Sequence, residues 1–177
     1  MSIFAPWTVL WSGEANDDWL APCRHANGAM AIHSISRPCD GKPLFGKTHP
    51  NRQRQAMAQC LCDICGKPLA TRTKVSMSQL RTIEVGGRAV SAQVEPLCCK
   101  PCAAASLSAC PHLRKQVANG AIQVRQVLRH SLISQVLTSE AVMEFTGQRC
   151  GEPVIGHLKL VIEKSRDRTT KWLGGVK

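Results

Sequence analysis

Two Cys-x-x-Cys pairs, Cys62-Asp63-Ile64-Cys65 and Cys99-Lys100-Pro101-Cys102, stand at either end of residues 66–98. The residues between the pairs include no histidine and one further cysteine, Cys98, so few other side chains there compete as metal ligands. Four cysteines brought together by this spacing are the ligand set of a structural zinc ion. The predicted zinc ligands are Cys62, Cys65, Cys99 and Cys102.

The segment between the two pairs has the pattern of a β-hairpin. Residues 80–85 and 88–94 alternate loosely between apolar and polar side chains, and Gly86-Gly87 between them is a two-residue turn signal. Gly66 follows the first pair and tolerates the positive φ that a zinc-binding turn needs. An alanine-rich run after Pro101 favours a helix, which places the second pair at a helix N-terminus, where the helix dipole stabilises thiolates.

The remainder of the chain predicts one more helix and several strands. The helix covers residues 48–60, with Thr48 or His49 as its cap and Pro50 in its first turn. We expect Arg52 and Arg54 on its exposed face, and Ala56, Met57 and Leu61 facing inward. Strands are predicted at 3–12, 30–35, 142–145 and 154–162, the first at a sheet edge because it contains Pro6. Residues 121–137 fit a strand or a helix.

The fold class that follows is α+β, a small zinc-stabilised domain with additional short strands. A chain of 177 residues with 44% hydrophobic residues has the length and apolar content for one core. We predict one domain over residues 1–162, with a zinc-binding core at 62–112, and a charged, flexible tail at 163–177. No segment approaches the roughly 20 apolar residues of a membrane span, and no leader pattern is visible, so a cytoplasmic location without membrane contact is expected.

The positive charge is concentrated around the cysteine motif. The formal net charge is +11, and residues 37–130 hold 15 basic and 4 acidic side chains, whereas the rest balances at 8 and 8. Excess positive charge confined to one half of a chain favours a polyanionic partner such as nucleic acid. Four thiolates around zinc reduce that charge by about two.

A treble-clef zinc finger consists, in chain order, of a turn that carries two ligands (the zinc knuckle), a β-hairpin and a helix that supplies the last two ligands. Residues 62–110 resemble this pattern. A wider resemblance covers residues 37–115. The segments Gly41–Met57, Cys62-Asp-Ile-Cys65, Cys99-Lys-Pro-Cys102 and Ala109-Cys-Pro-His-Leu113 are similar to small zinc-cysteine proteins of actinobacteria and their phages. That resemblance implies a context and no activity.

A second metal site is a further hypothesis. Cys110-Pro-His112 places a thiolate and an imidazole close together after the helix. The candidate ligands are Cys23, Cys39, Cys110 and His112. The alternative is that Cys110 is a small buried apolar residue and His112 a surface residue.

Three functions remain open, of which nucleic-acid binding is favoured. No base-reading element such as a helix-turn-helix is recognisable, so contact with phosphates would be largely sequence-tolerant and salt-sensitive. The expected phosphate-contacting residues are Arg52, Arg54, Arg72, Lys74, Arg81 and Arg88. The first alternative is a phage-type module that docks on a host protein through Leu44-Phe45, Trp7 and Trp11. The second is an HNH nuclease, which is disfavoured because residues 66–98 contain no histidine or asparagine. We therefore expect a non-catalytic protein.

Overall fold

The computed structural model describes residues 4–15 and 17–174, and in that part the chain forms ten strands and four α-helices. The strands are β1 (Val9–Trp11), β2 (Asp18–Pro22), β3 (Met30–Ser34), β4 (Pro43–Thr48), β5 (Lys74–Ser76), β6 (Arg81–Val85), β7 (Arg88–Gln93), β8 (Cys98–Cys99), β9 (Val124–Val136) and β10 (Ile155–Arg168). The helices are α1 (Pro50–Gln59), α2 (Lys100–Ala109), α3 (Pro111–Ala118) and α4 (Ser139–Thr146). The α+β class is therefore confirmed.

Strand β10 organises the main sheet. The strand order of this sheet is β2-β3-β10-β9-β5-β8, and the β6–β7 hairpin joins it through the pairing of β7 with β10. Strands β9 and β10 pair antiparallel from Ile155 opposite Val136 to Arg168 opposite Val124. Strand β10 is parallel to β3 at Ile155 and antiparallel to β7 at Leu160 and Val161. The last long strand thus connects the N-terminal half of the chain to the cysteine-containing half.

Helix α1 forms as its sequence predicts. The side chain of His49 caps it by accepting a hydrogen bond from the backbone N–H of Arg52 at 3.4 Å, and Pro50 occupies the first turn. The helix ends at Cys60, whose φ of 52° is left-handed. Met57 packs with Leu158 and Leu160 of β10 in a core cluster, so α1 lies against the main sheet.

The prediction that Arg52 and Arg54 lie on an exposed face of α1 is wrong, because both side chains are buried. Arg52 donates two hydrogen bonds to the Glu14 carboxylate, at 2.6 and 2.8 Å, and Arg54 donates to the carbonyl oxygens of Gly156, at 2.6 Å, and Ile32. A buried guanidinium needs such partners, since an unpaired buried charge is strongly unfavourable. Each arginine is therefore held by groups that lie far away in the sequence.

Gln53, between the two arginines, is also buried and joins α1 to β10 and to the residue that follows β7. Its amide nitrogen donates to the carbonyl oxygens of Val94 at 2.8 Å and Leu158 at 2.7 Å, and its amide oxygen accepts from the N–H of Leu158 at 3.2 Å. These bonds occupy both polar ends of the side chain. Helix α1 is thus joined to β10 by polar as well as apolar contacts.

Several other predictions can be compared with the structure. The hairpin is confirmed, with Gly86 and Gly87 at φ of 56° and 74° in its turn. Residues 121–137 contain β9, so the strand interpretation is correct. Strands β9 and β10 are longer than the short strands that were predicted. The strand predicted at 142–145 is wrong: these residues belong to α4, which Thr138 caps through the N–H of Ala141 at 3.2 Å.

The segment predicted to be a flexible tail from residue 163 contains regular structure as far as residue 173. Strand β10 continues to Arg168, and a short 3-10 helix, Thr170–Leu173, follows it with Leu173 buried. Leu173 packs with Val75 and Ala103, which explains why the charged sequence does not fray. Residue 3 of the predicted N-terminal strand and residues 175–177 of the predicted tail lie outside the described residues. Across the described residues, no helix has the length and apolar character needed to span a bilayer.

Candidate metal centre

The first cysteine pair lies on a tight turn after α1. The backbone N–H of Cys62 donates to the carbonyl oxygen of Lys67 at 2.8 Å, and the N–H of Gly66 donates to the carbonyl oxygen of Cys62 at 2.9 Å. Gly66 has a φ of +66°, a conformation that costs other residues about 1–2 kcal/mol. The glycine thus has the role predicted for it, and the turn directs both thiols of the pair to one side.

The second pair lies where β8 meets α2. Cys99 pairs with Lys74 across β5 and β8, and it is the N-cap residue of α2 with extended backbone angles. Pro101 occupies the first turn, where its missing N–H costs no helical hydrogen bond. Cys102 is the third residue of α2 and therefore lies in the first turn, next to the positive end of the helix dipole.

The two pairs meet in one cluster. Their sulfur atoms all lie within 4.8 Å of one another, and the Sγ atoms of Cys65 and Cys99 are 4.0 Å apart. Zinc–sulfur bonds of about 2.3 Å in a tetrahedron place the sulfurs about 3.8 Å apart. The cluster therefore has the size and the donor set of a four-thiolate metal site, and a metal bound by all four sulfurs has no open position for a substrate.

The thiols of this cluster differ in acidity. The pKa of Cys62 is lowered to about 4 by hydrogen bonding from the Cys98 thiol and from backbone N–H groups, including that of Cys99 at 3.2 Å. Burial raises the pKa of Cys102, and the nearby Cys99 and Cys62 sulfurs raise it further. Burial also raises the pKa of Cys99. Several thiolates thus form together only when a cation offsets their repulsion, so metal binding must release protons.

Cys98 contributes to this centre without belonging to the four-sulfur cluster. Its pKa is raised well above the usual value by its hydrogen bond to Cys62 and by burial, so it stays a neutral thiol. The sequence places Cys98 next to the predicted ligand Cys99, but it does not predict the direction of the Cys98 side chain.

The N-terminal segment braces the first turn. The N–H of Trp7 donates to the carbonyl oxygen of Ile64 at 3.1 Å, the N–H of Thr8 donates to that of Asp63 at 3.3 Å, and the Thr8 hydroxyl donates to the Asp63 carboxylate. A Cβ atom at Gly66 would meet the Trp7 ring at 3.0 Å, so glycine is required there by packing as well as by φ. Nothing in the cysteine spacing indicates these contacts, because they join residues about 55 positions apart.

The C-terminal segment covers helix α2. Two cations lie over the ring of Trp172, with Lys100 Nζ at 4.7 Å and the Arg168 guanidinium carbon at 5.3 Å from its centroid. Trp172 also packs against the apolar cluster formed by Ala103 and Leu107 of α2. The helix that presents the second cysteine pair is therefore held by the end of the chain.

The structure does not bring together the four residues proposed for a second metal site. Among the described residues, the cluster of Cys62, Cys65, Cys99 and Cys102 is the only group of three or more potential ligands within metal-binding distance. Cys23 is buried with Ala26 and Ile155 in an apolar cluster, and Cys39 is exposed. His112 is exposed on α3, where its ring nitrogen lies 3.0 Å from the amide nitrogen of Gln116. The described residues therefore do not assemble that second site.

The residues expected to contact phosphates divide into two groups. Arg72, Arg81 and Arg88 are exposed, the last two on the β6–β7 hairpin. Arg52, Arg54 and Lys74 are buried, so the prediction that they contact phosphates is not compatible with this structure. Of the side chains considered as docking anchors, Trp11 is buried and Trp7 packs on Gly66, whereas Phe45 is 64% exposed.

Fold and site together define the class: a mixed α+β protein with four cysteines placed to bind a metal ion. No protein-family model, curated protein or solved structure matched the chain when it was compared with each.

Proposed function

We propose that the four-cysteine cluster holds one structural zinc ion in a treble-clef arrangement. The support is the chain order, in which a glycine-containing turn, the β6–β7 hairpin and helix α2 follow one another between the first and last ligands. Tetrahedral sites with four sulfurs favour zinc or iron–sulfur centres, and a closed set of four thiolates for one ion is typical of structural zinc. The ion would therefore stabilise this half of the fold and perform no chemistry.

We further propose that the protein binds nucleic acid through this half of the molecule without catalysis. The observation that carries the proposal is the exposed charge in residues 37–130, where ten basic side chains are exposed against three acidic ones. The exposed basic residues are Arg37, Lys42, Lys47, Lys67, Arg72, Arg81, Arg88, Arg114, Lys115 and Arg129. This excess persists even after the buried Arg52, Arg54 and Lys74 are left out.

Two elements near the cysteines in sequence present four of these cations. Arg81 and Arg88 are on the β6–β7 hairpin, and Arg114 and Lys115 are on α3, which follows α2 directly. Cations on the surfaces of a hairpin and a helix suit contacts with phosphates, which carry no sequence information. Binding should therefore be sequence-tolerant and should weaken as salt increases.

The test is a salt titration of binding to a labelled duplex and a labelled single strand, read by fluorescence anisotropy. We expect the double variant Arg81→Ala/Arg88→Ala to weaken binding and to make the slope of log affinity against log salt shallower by about 0.9 per lost phosphate contact on duplex DNA. Arg149→Ala, an exposed arginine outside residues 37–130, is the matched control and should leave the slope unchanged. Affinity that does not respond to salt, or a double variant that behaves like the control, would contradict the proposal.

A second candidate function is protein binding at strand β4. Its support is Phe45, a large apolar side chain that is 64% exposed. A protein partner captured from nuclease-treated lysate by the intact protein, but not by Phe45→Ala, would favour this candidate. Val136→Ala, at a residue that is 57% exposed on β9, is the control and should retain the partner.

A further inference from the structure

A polar cleft of about 290 Å³ lies at the base of the β6–β7 hairpin. Its walls are residues 77–80, which connect β5 to β6, together with Gln116 of α3 and the beginning of β9 at Gln123 and Arg125. The backbone carbonyl oxygen of Gln116 accepts hydrogen bonds from the N–H groups of residues 121 and 122, at 2.8 and 3.2 Å. These bonds hold the end of α3 against the segment that enters β9, so two walls of the cleft are joined.

The cleft is lined by side chains with many hydrogen-bonding groups. Gln79, Gln116 and Gln123 each contribute a primary amide, and Arg125 contributes a guanidinium. Arg125 is fixed in place, because Nη1 donates to the carbonyl oxygen of Ser78 at 3.1 Å and Nη2 donates to the amide oxygen of Gln123. Those two bonds leave other N–H groups of the guanidinium and the amide nitrogen of Gln123 available as donors.

The cleft also has apolar surface and no negative charge. Met77 and Leu80 contribute apolar side chains, and none of the lining residues in the described part of the chain carries a carboxylate. Arg125 lines the cleft and places a positive charge in it. An anionic ligand would therefore meet attraction and little repulsion at this cleft.

We propose that this cleft binds a single nucleotide, with the base between the amides and the phosphate towards the Arg125 guanidinium. The proposal deepens the nucleic-acid function proposed above and rests on it for the physiological ligand. A nucleobase is planar and carries donors and acceptors on its edge, and glutamine and arginine side chains pair with such edges. A volume of about 290 Å³ is near the lower end of the range for ligand sites, which fits one nucleotide and excludes a duplex.

The amide-rich lining predicts weak discrimination among bases. A glutamine amide presents both a donor and an acceptor, and rotation of the side chain exchanges their positions. Aromatic rings, which other single-strand-binding proteins use for stacking, are not among the lining residues that the structure describes. Recognition here would depend on hydrogen bonds to base edges, with apolar contact from Met77 and Leu80 on the base face.

The first arm of the test titrates nucleoside monophosphates into the ¹⁵N-labelled full-length protein and follows side-chain amide signals by NMR. We expect the amides of Gln79, Gln116 and Gln123 to shift. We expect Gln79→Ala and Gln123→Ala each to weaken binding by about 5- to 10-fold, the loss of one good base-edge contact. Gln148→Ala, an exposed glutamine just after α4, is the matched control and should bind as the wild type does.

The second arm measures a single-stranded oligonucleotide by anisotropy with the same variants. If Gln79→Ala and Gln123→Ala weaken oligonucleotide binding without changing its salt slope, the cleft receives a nucleotide of a strand; if they weaken only monophosphate binding, it receives a free nucleotide. Oligonucleotide binding that depends on salt but not on these glutamines, with no monophosphate-induced shifts, overturns the cleft proposal and leaves the proposed function intact. Monophosphate binding at the cleft without any oligonucleotide binding supports the cleft proposal and contradicts the proposed nucleic-acid function.

Discussion

The metal centre and helix α1 both join segments that are far apart in the chain, but they use different chemistry. The metal centre gathers four sulfurs from two short motifs of one residue type. Helix α1 gathers Glu14, Val94, Leu158 and Gly156 through hydrogen bonds from Arg52, Gln53 and Arg54. In the proposed zinc-bound form, the first kind of link depends on the ion and on pH, whereas the second depends on hydrogen-bond partners for buried polar side chains.

The largest effect should come from removing a metal ligand. Cys62→Ser should reduce zinc content from about one ion per chain to near zero, because a structural zinc site needs its full thiolate set. Apparent binding energies of about 10–16 kcal/mol for structural zinc exceed the net stability of most domains, so this half of the chain should lose its fold. Metal analysis and hydrogen exchange of the purified protein provide the measurement.

Cys110→Ser is the matched control, since Cys110 lies outside the four-sulfur cluster. It should keep the full zinc content. Zinc retained in Cys62→Ser would disprove the ligand assignment, and zinc lost in Cys110→Ser would restore the second site. Within Cys62→Ser, exchange should accelerate more at residues 99–109 than at residues 155–161, because the α1 contacts persist.

The next largest effect should come from the buried ion pair of Glu14 and Arg52, whose side chains are 0% and 4% exposed. Glu14→Ala leaves Arg52 without its carboxylate and should lower the free energy of unfolding by about 3–5 kcal/mol. Urea unfolding monitored by tryptophan fluorescence measures the change. Glu152→Ala, at an exposed position, is the control and should change the stability by less than about 0.5 kcal/mol.

The same pair predicts a pH dependence. Burial alone would raise the pKa of Glu14, but hydrogen bonds from the Arg52 side chain and from the N–H groups of Trp11 and Arg37 outweigh it and lower the pKa. The unfolded state therefore takes up the proton first as pH falls, and the stability from this group is lost below the ordinary carboxyl pKa, between about pH 4.5 and the lower folded-state value. Glu14→Gln should not show this loss. A wild-type-minus-variant stability difference that stays constant down to about pH 3 would contradict the assignment.

A smaller effect should come from Gln53. Gln53→Ala leaves the carbonyl oxygens of Val94 and Leu158 and the N–H of Leu158 without their partner, and we expect a loss of about 2 kcal/mol in unfolding free energy. Gln59→Ala, on the exposed end of the same helix, controls for helix propensity. Equal stability of the two variants would show that the polar contacts of α1 contribute nothing beyond helix formation.

The difference between the two regions also explains what could be predicted from the sequence. The cysteine pairs, Gly66, the Gly86-Gly87 turn and helix α1 are local patterns, and the structure contains each of them. The burial of Arg52 and Arg54 was missed because a charged residue in an amphipathic helix normally faces solvent, and nothing local identifies Glu14 or Gly156 as a partner. For the same reason, Trp7 and Thr8 at the first turn of the metal centre could not be assigned from cysteine spacing.

The second set of metal ligands failed for a related physical reason. Cys23, Cys39, Cys110 and His112 have suitable chemistry, but no close spacing unites all four of them. Cys23 follows β2, near one edge of the main sheet, whereas Cys110 follows α2, whose N-terminus adjoins β8 at the opposite edge. Residue type predicts what a side chain can bind, and only the topology determines which side chains meet.

The central position of β10 has a consequence for the order in which the protein can fold as it is synthesised. The two cysteine pairs are complete once residue 102 has emerged from the ribosome, so a metal ion can organise that segment early. Strand β3, the β6–β7 hairpin, Gln53 and Arg54 each have a partner in residues 155–168, and those contacts must wait until β10 is synthesised. Such late, long-range pairing is slow and leaves strand edges exposed in the meantime. A nascent chain without β10 would therefore carry a metal-bound segment beside an N-terminal half that has no sheet to join.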